Sequence, residues 1–507
     1  MAREKKRAKY CDSCMDDVNT DYVDTQDTDV QELYRKGLEV YRGLDDDTSE
    51  HRVDETSVVK LAYEKISEKE AAVLRRLLRS GRRVEDLCLH DISLCAFKLA
   101  FDNLEQCPSL SSMYIHVDLQ GKEFGTSFSG VFTSLHSLEL SCDNTGSGFA
   151  HHIASYMRQN KTLRVLRLRN SCGGDEGAAV LIEALLENDT LKIFALNDIK
   201  SSSDTLVGFA KMLASNSTLE MVHLGEVCCG EVVKVWALLA QKRYAGVFQR
   251  LQIVWPEELL PELTALIRRQ ACCPGLSVSV TPSADEGVLE EFFDAVAADK
   301  TLRGLSLLPQ QHTFDALANG IASLVMRTTT LREIRDNHFV EKGNERHLIG
   351  ILDALKENRS ISHFTMYAQA MTPALATSLS GLLATNNTLN VVRVCNDSVI
   401  SPKEVETVLQ GMRVNFTVSA LRIFFRHDDS EGTFEEMKDI LDRNARLLKK
   451  AAKFVISGPD LNDERGIDAL KKLRSSADLV KKVQKLTYKT EEAATEAIQS
   501  VLACISA

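Results

Sequence analysis

The sequence predicts an α/β solenoid: a horseshoe of about thirteen stacked strand-plus-helix repeats with a parallel inner sheet, outer helices and helical ends. Three observations predict it. The skeleton L-x-x-L-x-L recurs with first positions at 84, 110, 135, 163, 191, 219, 248, 275, 302, 331, 361, 389 and 418, twelve steps over 418 − 84 = 334 residues with a mean near 28. Three stretches nearly superpose at a spacing of 28: Asn160-Lys-Thr-Leu-Arg-Val-Leu-Arg-Leu, Asn188-Asp-Thr-Leu-Lys-Ile-Phe-Ala-Leu and Asn216-Ser-Thr-Leu-Glu-Met-Val-His-Leu. Sixty-four leucines against 6% aromatics suit many small core slots rather than a few large ones.

Residues 1–56 form an acidic N-terminal segment, expected to be flexible. Residues 11–57 hold fifteen Asp/Glu, including Asp45-Asp46-Asp47, and four Lys/Arg, so 4 − 15 = −11 equals the net charge of the whole chain. The rest of the chain therefore sums to zero, which argues against non-specific nucleic-acid binding. The opening basic cluster (Arg3, Lys5, Lys6, Arg7, Lys9) is followed by no apolar run and is no secretory signal, which points to the cytoplasm, with the nucleus as the second address. Thirteen cysteines are then expected as thiols. Cys11 and Cys14 supply two ligands where structural zinc wants four, so no metal is expected. Cys228-Cys229 and Cys272-Cys273 read as small buried hydrophobes near strand ends. No run of eighteen apolar residues occurs, so no membrane-spanning helix or membrane partner is expected.

Residues 57–80 read as a helical N-terminal cap through Val58, Leu61, Ala62, Ile66, Ala71, Leu74 and Leu78. The solenoid occupies 81–445. In each period the third and fifth positions after the first leucine are apolar, the alternation of a short strand, as in Leu166/Leu168, Leu251/Ile253, Phe364/Met366 and Leu421/Ile423. An amphipathic helix follows, as at Ala178–Glu187, Leu348–Glu357 and Leu375–Ala384. Asn188 and Asn358 at helix exits suit a left-handed cap. Asp336 falls on an apolar slot, so the unit starting at 331 should be irregular. Thr433-Phe-Glu-Glu436 reads as a capping box opening the next helix. Residues 446–507 form a helical, basic C-terminal region, with eleven Lys/Arg against five Asp/Glu over 449–489 and short helices at Asp468–Leu473, Leu479–Leu486 and Glu491–Ala503. They are read as a cap, with docking of an acidic partner, or of the acidic N-terminal segment itself, as the alternative.

The period and the N-x-T-L-x-x-L-x-L starts resemble the ribonuclease-inhibitor-like class of leucine-rich repeats over roughly 80–445. Similar repeats occur in the sensor regions of NOD-like receptors and in Ran GTPase-activating proteins. The polar residue that usually completes the turn after the strand is replaced here by Ser171, Ile199 and Val227.

Function is bounded mainly by exclusion. No phosphate loop, H-E-x-x-H or G-x-S-x-G is present; no catalytic constellation and no cofactor are expected. Seven N-x-[S/T] sequons start at Asn160, Asn188, Asn216, Asn358, Asn386, Asn396 and Asn415, and all but Asn396 fall on the repeat's helix-to-strand turn, the simpler explanation. Strand alternation aims the second, fourth and sixth positions at the inner, concave wall. That wall should carry Tyr114, His116, Arg167, Arg169, Asn197, His223, Arg250, Arg335, Asn337, Tyr367, Arg393, Arg422 and Phe424, with Trp255 at its rim. Tyr, Trp and Arg dominate binding hot spots. The expectation is a non-catalytic scaffold or recognition module gripping a protein partner through this wall. A Ran-type GTPase-activating regulator, which the resemblance admits, and a substrate-recognition subunit of a ubiquitin ligase are the alternatives.

Overall fold

The computed structural model describes residues 29, 32, 33, 36 and 37, and residues 59–505 outside 81–83, 103–106, 108, 119–132, 143–146, 170–171, 198–200, 227–231, 240, 245, 310–313, 341–343, 397–399, 424–430 and 459. Asp45–Asp47, Cys11, Cys14, Cys228, Cys229 and Phe424 lie outside the described residues. The chain divides into two compact units, Met1–His223 and Leu224–Ala507.

The first unit holds strands β1 (Val59–Tyr63), β2 (Val84–Ser93), β3 (Ser112–Asp118), β4 (Ser137–Cys142), β5 (Val165–Arg169) and β6 (Ile193–Asn197), while β7 (Met221–Glu226) begins within it. Its helices are α1 (Glu68–Arg79), α2 (Leu94–Phe101), α3 (Ser147–Gln159), α4 (Gly174–Glu187) and α5 (Ser203–Ser215). Strands β1 to β6 pair in chain order, all parallel. The apolar strand positions face the core: Leu138/Leu140, Leu166/Leu168 and Phe194/Leu196 are buried, as are Ile153, Leu181, Leu185 and Phe209 on the helices.

The expected helical cap over 57–80 is corrected: it opens with strand β1, and α1 follows. Residues 58–63 are themselves a weak repeat start, with Val58, Leu61 and Tyr63 in the skeleton's slots and 84 − 58 = 26 residues to the next. Valine and tyrosine in place of leucine hid the signal. The Tyr63 hydroxyl donates to Leu33 O at 3.0 Å, and Leu33 is buried. Lys36 Nζ meets Glu70 Oε1 at 2.5 Å.

The second unit holds β8 (Leu251–Pro256), β9 (Gly275–Val280), β10 (Gly304–Pro309), β11 (Glu333–Val340), β12 (His363–Ala368), β13 (Val391–Asn396) and β14 (Ala420–Ile423), again parallel and in chain order. Between them run α6 (Val232–Leu239, ahead of β8), α7 (Leu260–Arg268), α8 (Glu286–Ala298), α9 (Asp315–Arg327), α10 (Arg346–Glu357), α11 (Pro373–Thr385) and α12 (Pro402–Val414). The irregularity expected at Asp336 is present: pairing of β11 with β12 shifts between Arg335 and Phe339, and Asp336 is fully buried.

The helix-exit asparagines behave differently from expectation. Asn188, Asn216, Asn358, Asn386 and Asn415 have extended, not left-handed, backbones. Their side chains do the work instead. Asn386 Oδ1 accepts from the N–H groups of Thr388 and Leu389, both at 2.8 Å, while Nδ2 donates to Leu355 O at 2.7 Å and Asn358 O at 3.2 Å in the preceding repeat. The same pattern recurs at Asn188, Asn216, Asn358 and Asn415. An asparagine amide supplies two acceptor sites and two donors, which matches the orphan groups of a helix end and the turn beyond it. Burial of Asn160, Asn188, Asn216, Asn358, Asn386 and Asn415 also removes them as glycan acceptors.

After β14 the chain leaves the repeat pattern. Helix α13 (Glu431–Ser457) starts two residues before Thr433, so that residue lies inside the helix rather than capping it. With α14 (Glu464–Leu473), α15 (Ala477–Thr487) and α16 (Glu491–Cys504) it encloses a core that includes Phe454, Leu470, Leu473, Leu479 and Ile498. Arg443 closes the asparagine ladder by donating to Arg413 O at 2.8 Å and to Asn415 O. Its guanidinium stacks on Phe416, whose ring is also faced by Lys472.

Candidate functional site

Backbone register decides which open-face residues become neighbours. In the first unit one row reads Cys88, Tyr114, Glu139, Arg167, Ala195, and the next reads His116, Ser141, Arg169, Asn197. Arg169 Nε reaches back to Glu139 Oε1 at 2.6 Å. The His90 and Tyr114 rings lie 5.3 Å apart, and His116 Nδ1 donates to His90 O at 2.9 Å, which fixes its tautomer. Tyr114, His116, Arg167 and Arg169 are thus brought together, while Asn197 and His223 lie half-buried on β6 and β7. His90, Cys88 and Glu139 belong to the same face and were missed, although they occupy the fourth and sixth positions after Val84 and the fourth after Leu135.

Burial, with the Glu139 charge beside it, pushes the Cys88 thiol up to about 11. Burial likewise raises Cys107 and Cys273 to about 11, and Cys272, with Cys273 and Asp299 adding to it, to about 12. These thiols stay protonated at neutral pH, the reverse of an activated nucleophile. Cys272 and Cys273 are buried as expected. Among the described residues there is no cluster of three or more metal-ligating side chains and no helix long and apolar enough to cross a membrane.

In the second unit a single row crosses six strands: Ser277, Ser306, Arg335, Thr365, Arg393, Arg422. With adjacent strands ~4.8 Å apart, three arginines fall within roughly 15 Å. Arg335 is exposed and paired with Glu333 at 2.5 Å, and Arg393 is half-buried. For Arg422, as for Asn337, the strand position is described and the side chain is not. Tyr367, 36% exposed, lies two residues along β12 from Thr365. Arg250 is half-buried at the entrance to β8.

Trp255 requires correction. It is 1% exposed inside β8, its ring 5.6 Å from that of Phe248, and not at a rim. Leu251, Ile253 and Trp255 share one face of the strand, so alternation carries the tryptophan into the core. The strand runs further than the skeleton's last apolar position, as it does at buried Val117 and Cys142.

Each repeat is thus a leucine-rich strand followed by a helix, and the chain has a ribonuclease-inhibitor-like leucine-rich-repeat fold. Comparison with known proteins adds relatives. No protein-family model matches the chain. The ribonuclease inhibitor of Sus scrofa is 26% identical over 148 residues, 28% of this chain and 32% of the inhibitor, so the chain matches about a third of that relative's length. Among solved structures, the yeast complex of Rad7 and Elc1 aligns over 80% of this chain and 92% of that chain, at 14% identity and a TM-score of 0.40. The second actin-binding site of leiomodin-1 and the tropomodulin C-terminal domain of Caenorhabditis elegans each align over 38% of this chain, and over 92% and 95% of their own chains, at 14% identity and a TM-score of 0.25.

Proposed function

We propose that this chain is a non-catalytic protein-recognition module that grips a protein partner through the open face of its sheet. One observation carries the reading: the register row Arg335–Thr365–Arg393–Arg422, which sets arginine positions on β11, β13 and β14 close to exposed Tyr367 on β12. Side chains held on a rigid sheet lose little freedom on binding, and Arg and Tyr are the usual anchors. Protonated, buried thiols support a binding role over nucleophilic chemistry and fit work in the reducing cytoplasm.

Affinity capture with the wild type and with the Arg335→Glu/Arg393→Glu/Arg422→Glu variant tests the proposal, circular dichroism confirming that both fold. The wild type should retain partners that the variant loses. Retention of every captured partner by the folded variant overturns the reading.

A further inference from the structure

The open face of the second unit does not end at its strands. Helix α15 is pinned beside their leading ends: Asn390 Nδ2 donates to Ser476 Oγ at 3.0 Å, the Asp478 N–H donates to Asn390 Oδ1 at 3.2 Å, and Ser419 Oγ donates to Asp478 Oδ2 at 3.0 Å. One turn further along α15, Lys481 is exposed. His363 opens β12 between these elements, half-buried, with Nδ1 2.8 Å from Ser362 Oγ. Burial first, and then the Lys481 charge, hold His363 below its ordinary range; Arg393 adds to this, while Asp478 and Glu333 oppose it. Four charged side chains from β11, β13 and α15, Glu333, Arg393, Asp478 and Lys481, therefore act on one imidazole. Glu333 is engaged by Arg335, and Asp478 by Ser419. Arg393 and Lys481 have no hydrogen-bond or ion-pair partner among the described residues.

We propose that Arg393 and Lys481 form the two walls of a cradle for a carboxylate-rich peptide segment of the protein partner, lying between the β11–β13 face and α15. The inference rests on the sheet-face reading above and gives that face its ligand chemistry. Arg393 offers a fork matched to a carboxylate, and Lys481 a point charge from the opposite side. Counting Arg335, Arg393 and Lys481 against Glu333 and Asp478 leaves a surplus of 3 − 2 = +1. That surplus suits one singly charged carboxylate of the segment seated in the cradle at a time, whereas a phosphate dianion seated there would exceed it and face both resident carboxylates. Loops at a sheet's edge could offer cations too, but here one wall is a helix fastened by three hydrogen bonds, so the cradle is built before the ligand arrives.

Fluorescence anisotropy on the full chain tests this with three labelled ten-residue peptides: one alternating Glu and Ser, its Gln counterpart, and one carrying two phosphoserines. The Glu peptide should bind, and the Gln peptide should bind at least tenfold more weakly. Lys481→Ala should weaken the Glu peptide about fivefold or more, and Lys471→Ala, an equal charge change on α14, should leave it within twofold. Equal losses in both lysine variants would reduce the effect to general charge and overturn the cradle. Tighter binding of the phosphoserine peptide overturns the carboxylate assignment. If Lys481→Ala binds as wild type while the triple sheet variant does not, the cradle fails and the sheet-face reading stands. If no peptide binds, the cradle fails too, and the capture experiment decides the sheet face on its own.

Discussion

At the scale of single residues, the asparagine turn defines what each position contributes. Asp299 takes the asparagine's place in one repeat: Oδ1 still accepts from the N–H groups of Thr301 and Leu302, at 2.6 and 2.7 Å, but the buried Oδ2 finds no partner. An amide nitrogen there would aim a donor toward the preceding turn. Asp299→Asn should therefore stabilise the second unit by about 1 kcal/mol, read as a higher thermal midpoint. A lower midpoint would show that the turn does not tolerate the donor. Asn386→Ala is the converse and should cost about 3 kcal/mol, because two N–H groups and two carbonyls lose partners at once. Glu70 is a second residue-scale case. Burial alone would raise its carboxyl, yet Lys36 and the hydroxyl and N–H of Ser67 together pull it down to about 2. A carboxyl depressed in the folded state contributes stability above its unfolded value near 4.5, and that stability is lost as pH falls toward 2. The difference in stability between wild type and Glu70→Gln should shrink steadily over that interval; a constant difference would rule the linkage out.

At the scale of the element, two helical glycines predict opposite outcomes. A Cβ on Gly411 of α12 would stand 2.3 Å from Ser380 O on α11, whereas one on Gly350 of α10 would meet nothing within 4 Å. Gly411→Ala should therefore force α11 and α12 apart and destabilise by about 2 kcal/mol or more. Gly350→Ala should stabilise by about 0.5–1 kcal/mol through helix propensity alone. Chemical denaturation of the pair checks both, and equal effects would refute the packing argument. Legibility is also decided here. Strand and helix positions from 84 to 423 were readable because alternation and amphipathicity repeat, and one period corrects another. β1 was obscured by Val58 and Tyr63 standing in leucine slots, and Trp255 by a strand longer than its motif. Parity gives strand positions but not exposure, since Ala195, Ser141 and Thr365 at outward positions are buried, and it gives no ion pairs: Glu139 with Arg169 and Glu333 with Arg335 depend on register and rotamers.

At the scale of the whole molecule, stacked repeats should fail by neighbourhood rather than all together. Leu166, fully buried on β5, illustrates this. Leu166→Ala should cost roughly 2–5 kcal/mol and accelerate amide exchange in β4 and β6 more than in β12 and β13. Uniform acceleration would argue for one cooperative body. The end of the ladder makes a similar case: Arg443→Ala leaves the Arg413 and Asn415 carbonyls without their guanidinium and should loosen α12 and β14 first. What the repeats look like could be read from the chain's periodicity, whereas how the last repeat is sealed could not. That depends on side chains from α13, α14 and α15 that follow no period.

The ladder has one more implication, for how such a chain changes length. Each asparagine donates to carbonyls about one period behind it, so a cut of one full period reproduces the same surroundings. Removing residues 358–385 would join Glu357 directly to Asn386, a junction of the same kind as Glu357-Asn358. A half-period cut would strand a helix without its strand and every amide without its target. Whole-period duplication and loss are thus the edits this architecture accepts, and its ancestry should be written in steps of about 28 residues.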